Sequence, residues 1–288
     1  MPQSKSEIQS LLSTAGGHPR HRFGQNFMID QNLVRAVADA GQPAPGDLVI
    51  EVGPGTGTLT DELLSRGVDV IACEIDHDLA AMLRHRYADQ PCFTLIEGDA
   101  LRTKHAINPA LLAHLATARS AGAPVKLIAN LPYNIASPLV IELLIAGVEL
   151  LAFTVQKEVA DRLRADPATD AYGPLTVVVQ TLAQVEVLRT LPPQAFWPAP
   201  KIDSALVRLT RRPRVADPAR FGAFVQKLFS FRRKTLRKAL TESGFAAEPI
   251  LAVTGLDPQL RTEVLSVDQW IALFDHANGQ SASGPPRE

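Results

Sequence analysis

The sequence predicts a doubly wound, mostly parallel α/β sheet followed by a small α-helical domain. Three observations carry that expectation. Short apolar runs alternate with amphipathic stretches from about residue 48 to residue 155, the pattern of strands joined by helical crossovers. The first of these runs ends in a glycine-rich turn, Glu51-Val52-Gly53-Pro54-Gly55-Thr56-Gly57, which opens a helical stretch. After Thr210 the chain becomes basic and proline-broken, and helical spacing resumes beyond the prolines.

Residues 48–52 read as a buried strand and 59–64 as a helix. Residues 68–73 are the next strand and 80–87 the next helix. Further strands are expected over 93–96 and 125–129, a helix over 138–145 and an extended run over 151–155. The stretch 175–191 is ambiguous: Val177-Val178-Val179 favours a strand, while its length permits a helix followed by a strand. Residues 205–209 read as a last strand. The run RRPRVADP suits a linker. Beyond it 218–240 reads as one helix, and 249–252 and 267–277 as short helices, with Asp268 a capping candidate. The polar, small residues 1–17 and the closing GQSASGPPRE read as mobile tails. The expected division is a flexible tail over 1–20, the sheet domain over 21–210, the helical domain over 211–278 and a second flexible tail over 279–288.

Composition limits the function. Of 288 residues, 46% are hydrophobic and 20% charged, which supports a real core and excludes disorder as the main state. No apolar run approaches the roughly 18 residues of a membrane span, and the start lacks the pattern of a secretory or transit peptide. Cys73 and Cys92 sit inside apolar runs and read as core residues. A disulfide framework is not expected, and a reducing cytoplasm is. Seven histidines are scattered without cysteine at zinc spacing, so no metal site is expected. Charge is unevenly placed. Residues 200–240 hold twelve Lys or Arg against two Asp or Glu, while the remainder holds 17 basic and 28 acidic residues. Such asymmetry points to a polyanion-facing patch on an acidic body; a solvated basic helix face is the plainer reading.

The glycine turn is the first chemical signal. A dinucleotide fingerprint would need glycine at 58, where the chain has Thr58. The spacing Gly53, Gly55, Gly57 behind an acidic residue is instead that of S-adenosylmethionine (SAM) sites on Rossmann-like sheets; alone, it is also compatible with a plain tight turn. Glu74, at the end of the next strand, can accept both hydroxyls of a ribose. Asp99, after the third strand, can accept from an adenine amine. Three ligand groups at three successive strand ends fit binding at the carboxyl edge of an open sheet.

Asn130-Leu131-Pro132-Tyr133 comes directly after the fourth strand. An exocyclic adenine amine is a poor nucleophile because its lone pair is delocalised into the ring. Two acceptors for its N–H groups draw the nitrogen towards tetrahedral geometry. Asn130 Oδ1 and the Leu131 carbonyl can be those acceptors. Pro132 fixes the turn, and Tyr133 offers a ring on which a base can stack. A packed tyrosine in a proline turn is the structural alternative.

Several runs together resemble the bacterial small-subunit ribosomal RNA adenine dimethyltransferases. They are RFGQNF at 22–27, EVGPGTGTLT at 51–60, NLPYNIASP at 130–138 and QKEVADRL at 156–163. AYGPL at 171–175, FWPAPKIDSALVRL at 196–209 and FRRKTLRKAL at 231–240 complete the set. The resemblance covers residues 22 to about 275. It implies transfer of methyl groups from SAM to N6 of two adjacent adenosines in the 3′-terminal hairpin of 16S rRNA, within the small subunit or its precursor. It implies cofactor contacts from Gln25, Asn26, Met28 (where the family usually has Leu), Gly53, Gly55, Gly57, Glu74, Asp99 and Asn130. It implies a catalytic group of Asn130, Leu131, Pro132, Tyr133 and Phe196, the last packing the far face of the base. The basic residues Arg211, Arg212, Arg232, Arg233, Lys234, Arg237 and Lys238 are the expected RNA contacts, on a chain working as a cytoplasmic monomer. Two alternatives share the sheet: a large-subunit rRNA methyltransferase of the macrolide-resistance type, and a nucleic-acid-binding factor without catalysis.

Overall fold

Alternation of buried strands with amphipathic helices builds one seven-stranded sheet. The structure, a computed structural model, describes residues 3–14, 18–20 and 23–281, without the side chains of 278–281. Helix α1 (Lys5–Thr14) precedes a short strand β1 (Phe27–Met28) and helix α2 (Gln31–Ala40). Then come β2 (Leu48–Val52), α3 (Thr58–Leu64), β3 (Asp69–Glu74), α4 (His77–Arg86) and β4 (Phe93–Glu97). A small hairpin of β5 (Leu101–Thr103) and β6 (Ala106–Ile107) leads to α5 (Pro109–Ser120), β7 (Val125–Asn130), α6 (Ala136–Ile145) and β8 (Leu150–Gln156). Helices α7 (Lys157–Leu163) and α8 (Pro174–Leu182) come next, then β9 (Ala183–Leu191), β10 (Phe196–Trp197) and β11 (Ser204–Arg211). The chain ends in α9 (Pro218–Phe229), α10 (Leu236–Glu242), α11 (Ala247–Thr254) and α12 (Val267–Ser281).

The main sheet has the order β4-β3-β2-β7-β8-β11-β9. Neighbours from β4 to β8 run parallel, and β11 lies antiparallel to β8. The chain winds outward from β2 through β3 to β4, then returns to place β7 on the other side of β2. The strand order therefore reverses between β2 and β7, where open α/β sheets leave a crevice at their carboxyl ends.

The strands expected from sequence form within a residue or two of their expected bounds, because each is an apolar run that two layers can bury. The ambiguous stretch resolves as α8 followed by β9. Helix α2 was not among the expected elements, although its signals are present. Asp30 caps it by accepting from the amides of Asn32 and Leu33, and Leu33, Val34, Val37 and Ala38 form its buried face. That face joins Val49, Ile128, Ala152 and Leu206 in one core cluster. Replacing Leu33 by Ala there would cost about 2–5 kcal/mol.

The structure corrects several expectations, among them the second tail, whose residues 279–281 continue helix α12. Residues 5–14 are a helix, not a flexible tail, since Ile8 and Leu12, four apart, form an apolar stripe that packs with Phe27 and Leu79. Cys92 is exposed, because it precedes β4 at the sheet edge, whereas Cys73 is buried and burial pushes its thiol up to about 12. The expected helix over 218–240 is broken at 230–235, and Thr235 starts α10 by accepting from the Lys238 amide. The last helix is capped by the Ser266 hydroxyl, which accepts from the Gln269 amide, rather than by Asp268. Arg22 and residues 282–288 of the expected second tail lie outside the described residues.

The chain divides into two units, residues 1–160 with 185–211 and residues 161–184 with 212–288. The second unit thus takes in α8, which the expected boundary at 211 assigned to the sheet domain. Its Leu175, Val177, Val178, Val179 and Leu182 are all buried, and it packs against α9 and α12. The second unit is helical, and an aromatic group of Phe221, Phe224, Phe229, Trp270 and Phe274 fills its core. Among the described residues no helix is long and apolar enough to cross a membrane.

Candidate active site

The crevice at the switch between β2 and β7 holds a cavity open to solvent, at the carboxyl ends of the strands where open α/β sheets place their ligands. Its walls are strand ends. β2 delivers Gly53 and the glycine loop, β3 delivers Glu74 and Ile75, β4 leads to Gly98 and Asp99, and β7 delivers Asn130 to Tyr133. The segment around β1 contributes Gln25, Asn26, Phe27 and Met28. Apolar side chains of Phe27, Met28, Ile75 and Leu79 alternate with these few polar groups.

Glu74 is one of two buried carboxyl groups in the wall, 3% exposed. Its Oε2 accepts from the Gly55 amide at 3.2 Å and its Oε1 from the Asp76 amide at 2.8 Å. Burial outweighs those bonds and pushes its carboxyl up to about 7. Deeper in the same wall, burial pushes Glu51 up to about 8, against the hydrogen bond donated by the Thr60 hydroxyl at 2.6 Å. The Gly55 backbone has φ +62°, and the Phe27 ring lies 2.9 Å from where its Cβ would stand, so only glycine fits between the ring and the loop. Asp99 accepts from the Leu101 amide at 2.9 Å, which fixes its carboxylate at the cavity.

Asn130 is held from two sides. Its Nδ2 donates to the Asn26 carbonyl at 2.7 Å. Its Oδ1 accepts from the Thr154 hydroxyl. The two residues are in parallel register on β7 and β8, so their side chains stand side by side. An amide oxygen has two acceptor positions, which leaves one for a ligand. The Tyr133 hydroxyl is 2.7 Å from Ser204 Oγ at the start of β11, and burial raises its pKa, so it stays protonated. Thr154 and Ser204 were missed from sequence. The signal was a lone hydroxyl in an otherwise apolar strand, Leu150–Gln156, and another at the head of 204–211.

Comparison with known proteins gives the context of this wall. A profile described as "Ribosomal RNA adenine dimethylase" matches residues 17–278. The chain belongs to that family. A "Ribosomal RNA small subunit methyltransferase A" of Anaeromyxobacter dehalogenans (strain 2CP-C) is 40% identical over 282 residues, covering 94% of this chain and 97% of the relative. One of the same description from Magnetococcus marinus is 43% identical, covering 92% and 94%. Among solved structures, the 23S rRNA methyltransferase ErmE is similar at 27% identity and a TM-score of 0.61, covering 88% of this chain and all of that one. A dimethyladenosine transferase from Plasmodium falciparum shares the fold at a TM-score of 0.69 and 23% identity, covering 88% and 97%.

Within this family member, the cavity brings together Gln25, Asn26, Met28, Gly53, Gly55, Glu74, Asp99, Asn130, Leu131, Pro132 and Tyr133. It does not bring in Gly57 or Phe196. Gly57 lies behind the loop, where it starts α3 at φ +87° against the Tyr87 hydroxyl. Phe196 pairs in register with Met28 across the antiparallel β1–β10 contact and turns into the core, 2% exposed. The Gln25 amide group is already engaged: its oxygen accepts from the Arg20 amide at 2.7 Å and its nitrogen donates to Asp76 at 2.9 Å. Gln25 therefore braces the corner beside Glu74.

The basic residues do not form one helix face. Arg211 donates to the Leu144 carbonyl at 2.9 Å in the sheet unit. In the helical unit, Arg237 pairs with Glu248 at 2.9 Å and Arg214 pairs with Asp268. Arg232 and Arg233 sit in the turn between α9 and α10 and line a groove with Thr169, Tyr172 and Glu263. Lys234 and Lys238 are exposed nearby in sequence, and Arg212 opens the linker. Summed over its sequence, the helical unit has 13 basic and 11 acidic residues, a net charge of only +2, so its basic character lies mainly in the clustering. Among the described residues no group of three or more His, Cys, Asp or Glu is arranged to hold a metal.

Proposed function

We propose that this chain transfers methyl groups from SAM to N6 of two adjacent adenosines in the 3′-terminal hairpin of small-subunit (16S) rRNA, and so takes part in small-subunit biogenesis. The observation that carries the reading is a shared wall: Asn130, Leu131, Pro132 and Tyr133 line the same cavity as Glu74, Asp99 and the glycine loop. Acceptors for a ribose, for an adenine amine and for a substrate amine thus converge on one space, as the donor groups of SAM and adenine require. SAM, when bound, supplies a methyl group on an electrophilic sulfonium.

The chain's own residues do the rest by orientation. Glu74 and Asp99 hold the cofactor's ribose and adenine, with Asn26, Met28, Gly53 and Gly55 shaping its bed. Asn130 Oδ1 keeps one acceptor position for an adenine N–H, and Thr154 fixes the direction in which it points. The Leu131 carbonyl is the second acceptor. Tyr133, anchored on Ser204, presents its ring to the base. The clustered cations of the helical unit hold phosphates and leave base selection to the cavity. The same reading has the chain act as a cytoplasmic monomer without a metal.

The similarity to ErmE supports a second reading, methylation of large-subunit rRNA. One experiment separates them. The protein is incubated with labelled SAM and, in turn, unmethylated small subunits, large subunits and naked rRNA, followed by digestion and analysis for dimethyladenosine. Label in small-subunit RNA is expected. Label confined to large-subunit RNA establishes the second reading, and label nowhere favours a binding factor without catalysis.

A further inference from the structure

We propose that Gln3 is a positioning residue for cofactor binding, and that helix α1 behind it clamps the glycine loop in its binding shape. The proposal rests on the SAM site assigned above. Gln3 is 5% exposed although it precedes the first helix, and its amide makes three hydrogen bonds to one short stretch of chain. Its Nε2 donates to the Thr56 carbonyl at 2.9 Å. Its Oε1 accepts from the Thr56 hydroxyl at 2.7 Å and from the Thr58 hydroxyl at 2.9 Å. Helix α3 begins on Gly57, which has no side chain to cap it. The buried hydroxyls and the carbonyl around that start need partners, and a residue 53 positions earlier in the chain supplies them.

A second grip lies on the other flank of the loop. Ile8 is 0% exposed, and with Leu12 it packs in a cluster containing Phe27. The Phe27 ring is the group that closes on Gly55. The N-terminal segment therefore holds the loop at Gly55 through Phe27 and at Thr56 and Thr58 through Gln3. Gly55, Thr56 and Thr58 all line the cavity, and the Gly55 amide is the one that donates to Glu74. Loosening the clamp releases the loop whose backbone orients the ribose carboxylate, without touching Asn130 or Tyr133. Gln3 and helix α1 precede residue 17, where the family match begins.

The test is Gln3→Ala in the full chain, with SAM affinity measured by calorimetry and methylation of unmethylated small subunits measured across SAM concentrations. The expected result is a Kd and a KM for SAM raised about 5–20-fold, the effect of losing one or two net hydrogen bonds, with kcat at saturating SAM within about 2-fold of wild type. In a Thr58→Val background the same substitution should act more weakly, because part of its route through the loop is already gone. Leu115→Ala in α5 is the control: it lowers the melting temperature without moving KM for SAM. An unchanged Kd and KM in Gln3→Ala overturns the proposal, whatever happens to the melting temperature. So does a loss of kcat with KM unchanged, and so does full additivity with Thr58→Val. A wild-type chain that binds no SAM, or binds it equally well after Glu74→Ala, overturns the site assignment itself.

Discussion

Asn130 shows how much of a site can rest on one amide. Its nitrogen is tied to Asn26 and its oxygen is shared with Thr154, so the side chain cannot turn. Asn130→Ala should cut methyl transfer by roughly 10²-fold or more while small-subunit binding changes little; near-normal turnover would remove it from the mechanism. Glu74 offers a second test. Glu74→Ala should weaken SAM binding by about 1.5–3 kcal/mol, measured by calorimetry. Burial pushes its carboxyl up to about 7, and in the proposed function the cofactor's ribose hydroxyls donate to the ionised form. SAM affinity should therefore rise as pH increases through about 7, and Glu74→Gln should flatten that profile. Glu51 has the opposite consequence for stability. Its folded pKa of about 8 lies above the ordinary 4.5, so the folded chain binds the extra proton between those values. Stability from this group is full below about pH 4.5 and is lost as pH rises through 8. Glu51→Gln should raise the melting temperature of the ligand-free protein at pH 8 and leave it nearly unchanged near pH 4.5; an equal effect at both would exclude the titration. The placement of Glu74, Asp99 and Asn130 at one cavity was open to reading because polar residues closing apolar runs have few structural uses. Thr154 and Ser204 were hidden because a hydroxyl inside a strand reads the same whether it braces a neighbour or only fills space.

At the scale of elements, the strands of the sheet were legible and the basic segment was not. Apolar runs such as 48–52 and 125–130 admit one placement, between two layers. The run from Phe231 to Leu240 has helical spacing throughout, and the one local sign of the turn at 230–235 is Thr235, a residue that also occurs inside helices. Thr235 decides it by capping α10, with the Leu236 amide donating to the Leu260 carbonyl at 2.6 Å from a later part of the chain. Arg233 and Arg237 consequently do not share a helix face, and Arg237 is partly neutralised by Glu248. The proposed phosphate contacts are better drawn from Arg232, Arg233, Lys234 and Lys238, none of which forms an ion pair among the described residues. Replacing these four with Gln should weaken small-subunit binding at low salt and reduce the slope of log K against log salt by about 0.7–0.9 for each phosphate no longer neutralised. SAM affinity should not change. Parallel salt slopes for wild type and variant would show that these side chains touch no phosphate.

Across the whole molecule, composition marks where the basic linker starts but not which earlier helix packs with the C-terminal bundle. Helix α8 is apolar on nearly every side, and such a helix reads equally well as a sheet layer or as the centre of a bundle. Its carbonyls settle its company: Thr181 accepts from the Arg214 amide at 3.0 Å and Leu182 from the Arg212 amide at 2.7 Å. A fragment of 212–288 expressed alone should therefore lack a cooperative thermal transition, being without the helix against which α9 packs; a sharp calorimetric peak from that fragment would contradict this. The interleaving also bears on how such a chain can be reshuffled in inheritance. A helical unit encoded by one uninterrupted stretch can be exchanged between genes by a single crossover. Here two stretches, 161–184 and 212–288, must travel together around the 185–211 segment they enclose. One crossover near 211 would join a new bundle to the old α8, so successful exchange needs matched breaks on both sides of the enclosed segment, and drift by point substitution is the easier way for the helical unit to acquire a new target.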